Sequence, residues 1–171
     1  MTIGAFALVL LETAPILPPV PELAAQTHSR AATIVKQTEV PVEQGAWRNI
    51  VLHVASEGRA LADKCHFVVD GTNILATEHW RMQQPAKHVF SAIRGHDYNA
   101  DSIGVFISRD FSVRPPTDEE ANALIELVTS LQDLCRIDRG KVYFHKDLNP
   151  LVEMPSRALA SLVSSRLLPI K

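Results

Sequence analysis

The most constraining feature of this sequence is a set of short apolar, β-branched runs. Ile50-Val51-Leu52-His53-Val54 and Ile103-Gly104-Val105-Phe106-Ile107 are too short and too β-branched for amphipathic helices, and they predict buried strands. Cys65-His66-Phe67-Val68-Val69 predicts another. Asp70-Gly71-Thr72-Asn73 carries turn chemistry, so Ile74-Leu75-Ala76-Thr77 is expected to return as a hairpin partner. Lys141-Val142-Tyr143-Phe144-His145 predicts a last strand that ends on a histidine. A chain with these runs must build a sheet and then cover it.

The clearest helix begins at Thr117. Thr117 and Glu120 form a capping-box pattern, and Asp118 and Glu119 favour the positive end of the helix. Leu124, Leu127, Val128, Leu131 and Leu134 then repeat at helical spacing and give one apolar face. Ser156 can cap a short final helix carrying Leu159, Leu162 and Val163. The expected fold is a single α/β domain, a central mixed sheet flanked by helices, over residues 46–171. A loop-rich segment from Glu78 to Asp101 carries His79, Trp80, His88, His96 and Tyr98.

Residues 1–45 read as an apolar, Pro-rich leader or linker. Ile3 to Leu11 is too short to span a bilayer and resembles the apolar part of a signal peptide without its basic flank. Export to the periplasm or cell envelope is the expectation, with a mis-set start or a plain apolar tail as alternatives. A formal net charge of −2 offers no basic field for nucleic acid. Two cysteines, Cys65 and Cys135, make no disulfide framework, and Cys135 on an apolar helix face reads as a buried, inert thiol.

The chemistry centres on histidines at strand ends. His53 and His145, followed by the carboxylate of Glu153, can meet on one rim of a sheet, and a catalytic zinc takes three such ligands with one position left for water. Core or hydrogen-bonded imidazoles are the competing reading.

Several segments then match one family in collinear order. Trp47-Arg48-Asn49-Ile50-Val51-Leu52-His53, Cys65-His66-Phe67-Val68-Val69 and Glu78-His79-Trp80-Arg81-Met82-Gln83-Gln84 with Lys87-His88 come first. Asn99-Ala100-Asp101-Ser102-Ile103-Gly104-Val105, Asp110-Phe111 with Arg114-Pro115-Pro116-Thr117, and Phe144-His145-Lys146-Asp147-Leu148 follow. Together, over about residues 47 to 160, they resemble the type 2 N-acetylmuramoyl-L-alanine amidases and peptidoglycan recognition proteins. The resemblance implies zinc held by His53 and His145 and hydrolysis of the amide between muramic acid and L-alanine. It implies peptidoglycan or muropeptides as partners.

Three departures accompany the match. The family's third ligand, a Cys or Asp just before Pro-Gly, has Met154 in its place, a poor zinc ligand, with Glu153 beside it as the substitute carboxylate. Cys65 stands where the family carries a tyrosine that assists at the reacting carbonyl. The stretch between His53 and Cys65 is too short for the family's groove-building helix. The resemblance places Cys65, His88 and Glu153 as candidate catalytic residues, His96 as an alternative proton donor, and Trp80, His88, Arg94 and Asn99 as candidate substrate contacts. A catalytically inactive peptidoglycan-binding module, or a structural or partner-binding domain, are the rival expectations.

Overall fold

The computed structural model describes residues 30–90 and 95–167. Five strands form one sheet in the order β3-β2-β4-β1-β5. They are β1 (Asn49–Val54), β2 (Phe67–Asp70), β3 (Asn73–Ala76), β4 (Ser102–Ile107) and β5 (Val142–Phe144). β2, β4, β1 and β5 run parallel, and β3 returns antiparallel to β2 across the hairpin turn. Gly71 takes φ +62 in that turn, a conformation open to glycine at no steric cost. All the expected strands form.

Every residue of β1 and β4 is buried, so this central pair is covered on both faces. The two covers differ. Ile50, Leu52, Val54, Ile103, Val105 and Ile107 share one cluster with Leu124, Leu127, Val128 and Leu131 of helix α4 (Asp118–Cys135). The alternate residues Val51 and Phe106 belong to two smaller clusters, with Val89 and Leu148 in one and Leu61 and Cys65 in the other. Side chains alternate across a strand, so β1 sends Ile50, Leu52 and Val54 to the helix and Val51 and His53 to the opposite face.

Helix α4 starts where the capping box predicts. Thr117 Oγ1 accepts from the Glu120 amide and Glu120 answers at the Thr117 amide. Arg114 grips the same carboxylate with two bonds of 2.7 Å. Leu127 and Leu131 are wholly buried, each contributing about 1.5–3 kcal/mol of burial. The last helix, α6 (Arg157–Arg166), is capped by Ser156 as expected.

Several features differ from the sequence reading. Residues 30–35 form a helix, α1, that places Ala31 and Val35 in the core, so packed structure begins upstream of residue 46. The stretch between β1 and β2 holds two 3-10 segments, Ala55–Glu57 and Arg59–Lys64. Among its described residues, the Glu78–Asp101 segment contains two single-turn helices, α2 (Glu78–Arg81) and α3 (Tyr98–Asp101). His145 does not end β5 but opens another short helix, α5 (His145–Leu148). Among the described residues, no helix is long and apolar enough to cross a membrane.

Candidate metal centre

The register of the sheet brings the two strand-end histidines together. β1 and β5 run parallel with Leu52 opposite Phe144, so the next residue of each chain, His53 and His145, emerges at the same edge. Their ring centroids lie 4.7 Å apart. Both imidazoles are buried.

The group is closed by Glu57, in the 3-10 turn that follows β1. Its Oε1 accepts from the Val54 amide at 3.0 Å, which fixes the carboxylate's orientation. Its Oε2 lies 3.1 Å from His53 Nδ1 and 2.5 Å from His145 Nδ1. One ligand atom from each of these three residues falls within 4.8 Å of the others. Burial pushes the Glu57 carboxyl upward, but the bonds to His145 and His53 and the charge of His53 outweigh it and hold it at about 2. Glu57 is therefore an anion at neutral pH. Burial lowers His53 below its usual range, against the pull of Glu57.

These donors suit zinc. Two imidazoles and one carboxylate are a known donor set of catalytic zinc sites that keep one position for water. Donors around a tetrahedral zinc lie about 3.4 Å apart, and the contacts of Glu57 Oε2 at 3.1 and 2.5 Å are shorter, so the carboxylate would draw back to admit the ion. His145 Nε2 is buried and meets no hydrogen-bond partner among the described residues.

Behind His53 stands a second tier of histidines. His53 Nε2 meets His88 Nδ1 at 3.0 Å, and His88 Nε2 meets the Ser102 carbonyl at 3.2 Å. A Cβ on Gly104 would come within 2.8 Å of the His88 ring, so the glycine is what lets that ring lie against the sheet. His66 accepts from the Gly104 amide through Nδ1 (2.9 Å) and donates through Nε2 to the Gln84 carbonyl (3.0 Å). Burial holds His66 at about 3 and His88 at about 2, so both rings are neutral at pH 7.

The other candidate residues divide sharply. Glu153 does not join the centre: it is exposed and lines a separate cleft with Arg109, Asp110 and Met154. Cys65 is wholly buried against Leu61 and Phe106, and burial followed by the Glu57 charge pushes its thiol well above the usual range. It keeps its proton and cannot act as a thiolate. Cys135 is buried and pushed up to about 12, as an inert core thiol would be.

Trp80 is fully buried, donates its indole N–H to the Val35 carbonyl and packs on Phe67, leaving no surface for a ligand. Asn99 spends its amide on both backbone groups of Val89, at 2.8 Å each, and so clamps the loop bearing His88. His96 is exposed and pairs with Asp101. Arg94 lies outside the described residues.

Glu57 is the site residue that the sequence reading passed over. Its signal was faint but present: a carboxylate four residues after His53, directly beyond a strand end.

The family profile described as N-acetylmuramoyl-L-alanine amidase matches residues 24–156. No curated protein matches the sequence. Several solved structures share the fold. The endolysin N-acetylmuramoyl-L-alanine amidase LysCS of Clostridium intestinale URNW superposes with a TM-score of 0.51 at 18% identity, over 76% of this chain and 93% of that one. The E. coli N-acetylmuramyl-L-alanine amidase AmiD, complexed with anhydro-N-acetylmuramic acid-L-Ala-D-gamma-Glu-L-Lys, gives 0.55 at 17%, over 78% and 62%. A variant of Drosophila PGRP-LB complexed with tracheal cytotoxin gives 0.54 at 15%, over 78% and 90%.

Proposed function

The chain belongs to the N-acetylmuramoyl-L-alanine amidase family, and on that premise we propose that it is a zinc-dependent hydrolase of peptidoglycan. The bond cleaved is the amide joining the lactyl group of muramic acid to L-alanine. The observation that carries this reading is the convergence of His53, Glu57 and His145 at one edge of the sheet.

Zinc there would supply a Lewis acid for the amide carbonyl and lower the pKa of a bound water. His53, His145 and Glu57 would hold it, and the Val54 amide fixes the Glu57 carboxylate through Oε1. The ionised Glu57 also offsets part of the metal's charge in a buried setting. His88 takes no part in proton transfer to substrate, because both its nitrogens are engaged inside the protein. A groove beside the Glu57 turn is lined by Arg59 and Arg109 together with Asp70 and Asp110, and Arg109 pairs with Asp70, which leaves the exposed Arg59 to meet a stem-peptide carboxylate. Action on peptidoglycan accords with an exported protein, which fractionation of the native host would test.

The test is zinc content per chain after gel filtration, for the wild type and His145→Ala, followed by chromatography of muropeptide digests. The expected result is about one zinc in the wild type, none in the variant, and stem peptide released only by the former. Zinc-loaded wild type that releases no stem peptide removes the hydrolase reading.

One observation favours a second reading, a peptidoglycan-binding module without turnover. The position where the family carries its assisting tyrosine is filled by the wholly buried Cys65, which presents nothing to a reacting carbonyl. This reading expects isolated sacculi to retain the protein equally with and without chelator.

A further inference from the structure

Three contacts run in line from the sheet to the candidate metal centre. The Ser102 carbonyl meets His88 Nε2 at 3.2 Å, His88 Nδ1 meets His53 Nε2 at 3.0 Å, and His53 Nδ1 meets Glu57 Oε2 at 3.1 Å. Both ends of this line, a carbonyl and an ionised carboxylate, only accept. Each of the three contacts needs one positive centre between its atoms, yet two neutral imidazoles bring only two protons. The line is one cation short.

The structure says where the shortfall falls. The Ser102 carbonyl and the His88 ring are wholly buried in the sheet face, so the proton on His88 must serve that carbonyl from Nε2. His88 Nδ1 is then a lone pair and takes the Nε2–H of His53. His53 Nδ1 is left facing Glu57 Oε2, so the missing positive centre, a proton or a metal ion, falls between those two atoms. The opposite assignment would set two lone pairs against each other beside Ser102, where no cation can enter.

The His88 ring is held to this role from outside. Gly104 leaves room for it, and Asn99 clamps the backbone of the next residue, Val89.

We propose that His88 is a positioning residue for the metal centre. By donating to the Ser102 carbonyl and accepting from His53 Nε2, it keeps Nδ1 of His53 turned to Glu57, where a divalent cation can take the place of a proton. The proposal rests on the reading of His53, Glu57 and His145 as zinc ligands.

The first experiment is long-range ¹H–¹⁵N NMR of the histidines in metal-free protein at neutral pH. The expected spectrum shows His88 protonated at Nε2 and bare at Nδ1, and His53 protonated at Nε2. The second is zinc affinity by competition with a fluorescent chelator. His88→Leu keeps the bulk and removes both hydrogen bonds, and it should weaken zinc about 10–100-fold. His88→Gln, whose amide offers one donor and one acceptor, should recover most of the loss.

A metal-free wild type whose His53 carries no proton on Nε2 overturns the proposal. So does a folded His88→Leu variant that binds zinc as tightly as wild type. If His88→Leu fails to fold, the wild-type spectrum and the Gln variant still decide the matter. A wild type that binds no zinc overturns the metal reading instead, while the tautomer measurement reports on His88 independently of it.

Discussion

The two faces of the sheet are made from alternate residues of the same strands, yet they obey different rules. On the helix-covered face, Leu52, Val105 and Ile107 meet Leu127 and Leu131, and the demand is apolar volume. On the opposite face, His53, His66, His88 and His145 are buried with Glu57 among them, and every contact has a donor and an acceptor to be matched. An apolar face tolerates any residue of the right size and shape. A buried polar face tolerates only a connected set, because an unpaired buried group costs the full desolvation of that group. The first face stabilises the domain; the second carries the candidate metal centre.

The comparison breaks most clearly under a pair of truncations. Leu127→Ala should cost about 2–5 kcal/mol in denaturant unfolding and leave zinc per folded chain unchanged. His145→Ala should abolish zinc binding in elemental analysis while costing far less stability. If Leu127→Ala removed zinc from chains that remain folded, the two faces would not be separable.

Acid should act on the histidine face. His66 and His88 are held at about 3 and 2 when folded, against about 6.5 when unfolded. The unfolded chain therefore binds more protons below pH 6.5, and stability falls as the pH drops. The stabilisation is fully present above 6.5 and is lost progressively down toward 3, at roughly 1.4 kcal/mol per pH unit for each ring. Chemical denaturation of metal-free protein between pH 7 and 5 measures that slope, and His88→Leu should make it shallower. A flat profile over that range would show that these rings are not buried neutral in solution.

Gly104→Ala sharpens the comparison within one strand. Its methyl would press on the His88 ring, costing about 1–3 kcal/mol and weakening zinc, whereas the neighbouring Ile103→Val on the helix side should cost about 0.5–1.5 kcal/mol and leave zinc alone. The smallest effect belongs to Thr117→Ala. Loss of that cap should cost about 1 kcal/mol with zinc unchanged, read from paired thermal melts and metal titrations.

The helix-covered face was legible in the sequence almost residue by residue. Its signals are local: β-branched runs, the Leu124 to Leu131 spacing, and a capping box four residues long. On the other face only part could be read. His53 and His145 stood out as strand-end histidines and the structure brings them together. Glu153 was the expected carboxylate, but it stays exposed in another cleft, and Trp80 and Asn99 turn out to serve the core and a loop clamp.

What the sequence determined alone, then, was the sheet, the capped helix, the family resemblance and two of the three donors, because strand and helix patterns act within a few residues. The tertiary structure decided that Glu57 closes the group, although it lies 88 residues from His145, because only the parallel pairing of β1 and β5 sets those two positions at one edge. It also decided the part played by His88, since a hydrogen-bond line from Ser102 to Glu57 exists only once loop, strand and turn have been stacked on the same face.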